Sequence, residues 1–180
     1  MRILFLGDVV GISGCSKILN NLRSEIEKKK IDFVIVNGEN SAKPGVGLTE
    51  NICKDFFNCG VDVITSGNHV WDQKEIMGYI DKENRLLRPY NLFEPSPGKG
   101  FETYEIRKNI KVGVLNLMGN VFMKKCEDVF ECTKKFLQNH NLKKDYDLLI
   151  VDFHGEITSE KNAIGHFFDG KATLVVGTHT

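Results

Sequence analysis

No run of apolar residues in this sequence is long enough to cross a membrane. The opening stretch at residues 3–6 is far shorter than the ~20 residues of a spanning helix or the core of a signal peptide. An excess of charge of one sign is also missing: 24 basic side chains face 24 acidic ones. Without a global field, neither stable binding to duplex nucleic acid nor attachment to an anionic membrane is expected, and an anionic ligand must be held by a local device. Cysteine is present without pattern. Cys15, Cys53, Cys59, Cys126 and Cys132 are odd in number and contain no C-x-x-C pair, which fits neither a disulfide framework nor a zinc knuckle. Reduced thiols in a cytoplasmic protein are the expectation. No G-x-x-x-x-G-K-[ST] occurs, so a P-loop enzyme is excluded as far as a missing motif can exclude one. Proline is scarce, with 4 in 180 residues, and 41% of the chain is hydrophobic. That suffices for one substantial core and not for two, so residues 1–180 are read as one domain.

What is there is a series of short apolar runs bounded by turn residues, at 3–6, 33–36, 61–65, 112–117 and 148–153. Continuous β-branched runs of this length read as buried strands. Between the first three, residues 16–29 and 49–58 repeat apolar side chains at three- and four-residue intervals, so the chain opens as βαβαβ. Thr49 is placed to cap the second helix and Gly60 to end it. A short amphipathic segment at 74–80 precedes an irregular stretch at 85–100 that holds three of the four prolines, read as a long ordered crossing loop. Residues 101–107 and 110–117 alternate around Lys108 and Asn109, which predicts a hairpin and a second sheet. Helices at 127–138 and 159–168 and a last strand at 172–176 complete the reading.

The chemistry lies at the carboxyl end of each strand. The first ends in Gly7-Asp8, the second in Asn37-Gly38-Glu39-Asn40, the third in Ser66-Gly67-Asn68-His69. The fifth ends in His154, and the last in Gly177-Thr178-His179. Carboxyl ends of parallel strands share one edge of an open α/β sheet, so Asp8, Glu39, Asn68, His154 and His179 have the opportunity to converge there. The glycines that precede these residues are expected to permit sharp turns. Two carboxylates, an amide oxygen and two imidazoles suit iron, manganese or zinc. One carboxylate such as Glu39 can bridge two ions, the arrangement that clamps both oxygens in phosphoryl transfer. His69, next to a ligand, is positioned to give a proton to a leaving oxygen.

In order and spacing, Gly7-Asp8-Val9-Val10-Gly11, Asn37-Gly38-Glu39-Asn40, Gly67-Asn68-His69, Val151-Asp152-Phe153-His154 and Gly177-Thr178-His179 resemble the YmdB-type branch of the calcineurin-like metallophosphoesterases. Supporting likeness at 86–89, 116–119, 122–123 and 158–161 extends the match over the whole chain. The resemblance implies a four-layer αββα sandwich, often homo-oligomeric, with two divalent or mixed-valence metal ions, iron or manganese. Asp8, Glu39 and Asn40 would hold the first ion, and Glu39, Asn68, His154 and His179 the second. His69 would be the proton donor while a hydroxide bridging the metals attacks phosphorus. The substrates implied are small phosphodiesters such as 2',3'-cyclic nucleotides. In the family a further histidine comes after the Gly-Thr-His-Thr motif and completes the first site, and more strands of the second sheet come after it. On this reading the domain is incomplete at Thr180, which leaves a sheet edge uncovered.

Other readings compete with this one. Asp8 alone would be an N-cap, and Glu39 with Asn40 ordinary turn residues; the joint pattern favours ligands. His140 and His166, both in predicted helical segments, are read as structural. Gly7, Gly11 and Gly14 suggest a nucleotide-binding module of Rossmann type, but the spacing is not G-x-G-x-x-G and Asp8 would bring negative charge to the pyrophosphate position. A regulatory module that keeps the fold without turnover is the remaining alternative.

Overall fold

The computed structural model describes residues 1–107 and 109–180. The elements in chain order are β1 (Ile3–Leu6), α1 (Gly11–Lys29), β2 (Phe33–Asn37), α2 (Glu50–Cys59), β3 (Val63–Thr65) and α3 (Ile76–Tyr79), then a 3-10 turn at Ile80–Lys82. After the turn come β4 (Phe101–Arg107), β5 (Ile110–Met118), α4 (Val129–Asn139), β6 (Leu148–Gly155), α5 (Thr158–Phe167) and β7 (Leu174–His179). Helix α2 starts and stops as its sequence requires. The Thr49 hydroxyl accepts the Ile52 N–H at 3.3 Å, and Gly60 takes the left-handed conformation at φ 110° that a side chain would resist.

Two sheets are formed. Strands β1, β2 and β3 are parallel in that order, and β4–β5–β6–β7 is a mixed sheet in which only β4 and β5 are antiparallel. The hairpin predicted for β4 and β5 is therefore present, although Lys108, around which it is expected, lies outside the described residues. This topology corrects the expectation of one shared edge: the metal-ligand candidates come from the ends of two sheets. It also argues against a Rossmann module, because β1 stands at an edge rather than in the middle of a doubly wound sheet.

Alternation along the strands builds the layers. On β2, Val34 and Val36 face α1 and α2, packing with Leu22, Cys53 and Phe56, while Phe33 and Ile35 point the other way. They meet Val112, Val114 and Ile150 of the second sheet in a core between the sheets. The opposite row of the second sheet, Leu115, Leu117, Leu149, Val151 and Phe153, packs on Phe136 of α4 and Ile164 of α5. The result is α–β–β–α, with Phe56 and Phe136 fully buried in the two outer layers. Truncating either to alanine would cost about 3–5 kcal/mol.

The stretch 85–100 crosses from one sheet to the other. Leu86 pairs with Ile64 of β3, whose N–H donates to the Arg85 carbonyl and whose carbonyl accepts the Leu87 N–H, and Tyr90 donates its N–H to the Asn116 carbonyl of β5. Its irregular backbone is gathered by the buried Arg88 guanidinium, which donates to the carbonyls of Pro89, Tyr90, Ser96 and Pro97 and to the Glu94 carboxylate. Helix α1 begins five residues earlier than its periodicity predicts. Val10 pairs with Asn40, and the Gly11 N–H reaches the Asn40 carbonyl at 2.8 Å, which aims the chain into the helix directly after the Asp8 turn. The five cysteines are free thiols, and among the described residues no helix is long and apolar enough to cross a membrane.

Candidate metal centre

The loops after β1, β2 and β3 open onto the ends of β6 and β7. Asp8, Glu39, His154 and His179 each offer one ligand atom, and these atoms all lie within 4.8 Å of one another. Glu39, at the middle, is fully buried. Its Oε1 is 3.0 Å from His154 Nε2 and 3.9 Å from His179 Nδ1, while its Oε2 accepts the His69 N–H at 3.2 Å. Burial pushes the Glu39 carboxyl up, but the hydrogen bond and charge of His154 prevail and hold its pKa below the usual carboxylate range. Burial likewise opposes the His154 cation, and the Glu39 carboxylate overcomes it, so the His154 pKa is raised. The oxygens around His154 Nε2 thus favour a cation at that position, a proton or a metal ion.

Asn68 joins the same place, its Oδ1 3.0 Å from His154 Nε2. Asn40 donates its Nδ2 to Glu39 Oε1 at 3.1 Å, and Asn40 Oδ1 is buried and has no hydrogen-bond partner among the described residues. A buried carbonyl oxygen left unpaired costs free energy that a bound cation would recover. His179 does not lie past the end of its strand as its sequence position suggests; β7 extends further than predicted and then includes it. Its Nε2 meets Glu156 at 2.9 Å, its backbone N–H donates to Asp8 Oδ1 at 3.3 Å, and its ring lies edge-on to that of His154 at 4.8 Å. Asp8 does not cap α1, whose N-cap Val10 receives no side-chain hydrogen bond.

His69 stands beside the cluster, partly exposed. Its Nδ1 contacts Asp72 at 2.6 Å, and the other Asp72 oxygen accepts from Lys124 Nζ at 2.9 Å. Lys124 comes from the loop after β5, so the two sheets also meet at this histidine. Against the pull of partial burial, the His69 and Lys124 hydrogen bonds hold the Asp72 carboxyl below its ordinary range. Sequence reading misses Asp72, although a carboxylate three residues after a histidine in a turn is a usable signal. It also assigns nothing to Asp152 and Thr178, which lie behind His154: Thr178 Oγ1 is 2.9 Å from His154 Nδ1 and donates to Asp152 Oδ1 at 2.6 Å. His140 and His166 stay outside the cluster. His140 packs on the rings of Phe136 and Phe101.

The glycines do a different job from the one predicted. None of Gly7, Gly38, Gly67 and Gly177 has a positive φ; the turn after β1 falls on Asp8 itself, at φ 26°. Gly67 is required by space. A Cβ there would lie 2.2 Å from the His154 ring and 2.3 Å from Glu39 Oε2, inside both side chains.

The same architecture, a two-sheet sandwich with helices on both outer faces, recurs in solved structures. A hypothetical protein from Thermus thermophilus superposes with a TM-score of 0.90 at 36% identity, over 100% of this chain and 68% of its own. A protein described as a novel phosphatase from Mycoplasma pneumoniae gives 0.89 at 39% identity, over 100% of this chain and 64% of its own. Residues 4–180 match the model of the YmdB-like protein family, and the chain belongs to that family. Among curated relatives, the 2',3'-cyclic-nucleotide 2'-phosphodiesterase of Bacillus subtilis strain 168 is 43% identical over 180 residues, covering all of this chain and 67% of that protein. A putative phosphatase/phosphodiesterase of Mycoplasma pneumoniae is 39% identical over 186 residues, again covering all of this chain and 64% of the relative. The chain thus spans about two thirds of the length of the curated relatives it matches.

Proposed function

We propose that this protein is a metal-dependent phosphodiesterase acting on small phosphodiesters, 2',3'-cyclic nucleotides among them. The observation that carries the reading is the convergence of Asp8, Glu39, His154 and His179 from two sheets onto one point. The unpaired Asn40 Oδ1 supports it, and so does the make-up of the donor set: carboxylates, amide oxygens and imidazoles, with no thiolate, fit iron or manganese. Asp8, Glu39 and Asn40 would hold one ion, and Glu39, Asn68, His154 and His179 a second, with Glu39 shared between them. Bound there, the ions supply Lewis-acid stabilisation of charge on the phosphoryl oxygens and a nucleophile at neutral pH.

The chain's own residues do the rest. Burial of Glu39 and His154 excludes bulk water from one side of the phosphoryl group, which strengthens each electrostatic contact made to it. His69 gives a proton to the leaving oxygen. Asp72, braced by Lys124, accepts a hydrogen bond from Nδ1 and keeps Nε2 as the atom that faces substrate. The substrate class is supported by the name of the B. subtilis relative.

The test is metal content together with hydrolysis of bis-p-nitrophenyl phosphate and 2',3'-cyclic AMP in added manganese. Bound metal and turnover, both lost in Glu39→Gln, are expected. A chain that takes up no metal and hydrolyses neither ester would overturn the proposal in favour of a binding module.

A further inference from the structure

The inward face of β6 runs Leu148, Ile150, Asp152, His154, since alternate residues of a strand share a face. Ile150 belongs to the apolar core between the sheets, yet the next position on the same row is a carboxylate, and both Asp152 and His154 are completely buried. A carboxylate in that setting is costly unless its lone pairs are satisfied. Here three uncharged donors from three strands offset that cost in part, Thr178 Oγ1 at 2.6 Å, Thr65 Oγ1 at 2.5 Å and Asn37 Nδ2 at 2.9 Å, while burial still pushes the Asp152 carboxyl up. The orientation of the Asn37 amide is set by its own oxygen, which accepts the Glu39 N–H at 3.3 Å.

These contacts fix the direction of the hydrogen bonds. Thr178 has one hydroxyl proton, and it is directed at Asp152. Its oxygen is therefore left only to accept, with one lone pair facing Asn37 Nδ2 at 3.3 Å and the other, nearer partner being His154 Nδ1 at 2.9 Å. Thr178 and His154 are direct partners in the register of β6 and β7, so the contact is built by strand pairing rather than by a loop.

We propose that Asp152 and Thr178 are positioning residues for the metal centre: through the Thr178 hydroxyl, the buried Asp152 carboxylate keeps the proton on His154 Nδ1 and presents Nε2 as the ligand atom. The proposal rests on the metal-centre reading above. Metal-binding histidines commonly donate the second ring N–H to a carboxylate or carbonyl, which fixes the tautomer and raises ligand basicity. In this protein a hydroxyl stands between the imidazole and the carboxylate. It lets one buried side chain reach across from the ends of β2 and β3, through Asn37 and Thr65, to His154 on β6, so the network aligns the two sheets where the candidate ligands meet.

Two measurements test it. Nitrogen-15 NMR of histidine in the metal-free chain, with His154 assigned by its loss in His154→Asn, should find a slowly exchanging proton on Nδ1. That proton should persist in Thr178→Ser and exchange freely in Thr178→Val. Calorimetric titration with Mn²⁺ should show affinity falling roughly 10- to 100-fold in Thr178→Val and in Asp152→Asn, the range typical of removing such supporting partners, with recovery in Thr178→Ser. A His154 Nδ1 without a proton in the unaltered chain would overturn the proposal, as would a folded Thr178→Val chain that binds Mn²⁺ as tightly as the parent. A parent chain with the Nδ1 proton but no Mn²⁺ uptake would instead sink the metal centre, and with it the purpose assigned to the network.

Discussion

The two sheets serve the candidate centre in different ways. The first contributes from loops: Asp8, Glu39, Asn40 and Asn68 all lie beyond the last residues of β1, β2 and β3, and the strands beneath them are nearly all apolar. The second contributes from the strands themselves. His154 lies inside β6 and His179 ends β7, and behind them Asp152 and Thr178 make the strand interior polar. A ligand on a loop is positioned by backbone and close packing, as the space at Gly67 shows. A ligand on a strand has its Cα set by register, and its ring must then be oriented by side chains placed for that purpose.

Breaking the junction of the two halves should have the largest effect. Glu39 touches both sheets, and Glu39→Gln keeps the volume while removing the charge. Metal content measured by elemental analysis should fall to background. The stabilisation that Mn²⁺ gives the parent in thermal melts, about 2.7 kcal/mol of linkage at a hundredfold excess over Kd, should vanish with it. Gly67→Ala comes next, because it drives a first-sheet loop into the His154 ring of the second sheet. Overpacking of this kind costs roughly 1–3 kcal/mol, and thermal melts should show that loss together with weakened metal uptake; an unaltered affinity would mean the ligands tolerate displacement.

His69→Ala sharpens the comparison from the first-sheet side. Metal content should stay at the parental level while turnover drops by roughly 10²- to 10⁴-fold, as for loss of a general acid. If metal were lost as completely as in Glu39→Gln, the roles given to these residues would be wrong. The smallest effect is expected for Lys124→Ala, which cuts the exposed tie between the loop after β5 and Asp72. An exposed ion pair contributes at most about 1 kcal/mol, so the melt should shift little, and any change should appear in kcat rather than in metal content.

Much of the first-sheet half is legible in the sequence because its logic is local. An apolar run leading into Gly-Asp, Gly-Glu-Asn or Gly-Asn-His announces a strand with a polar end, and β1, β2 and β3 carry those ends as expected, β2 and β3 fully buried and β1, at the sheet edge, half-buried. The second-sheet half is legible only for the histidines. Asp152 stands in a recognisable motif without an evident task, because a carboxylate within an apolar run acquires one only when Thr65 and Asn37, from distant parts of the chain, arrive beside it. The boundaries of β7 are misplaced by local reading for the same reason: pairing with β6 extends the strand through Gly177 and Thr178, where local propensity would end it.

The sequence by itself determined the alternation of elements, the cap and stop of α2, the apolar faces of the strands and the residue types available for chemistry. All of these arise from periodicity and turn preferences within a few residues of each other. Only the tertiary structure decided that the candidate ligands of the two sheets meet at one point, that Gly67 must lack a side chain for reasons of space, and that Asp152 faces Thr178 rather than solvent. Those outcomes depend on atoms far apart in the chain reaching hydrogen-bonding or van der Waals distance, and no local pattern encodes that distance.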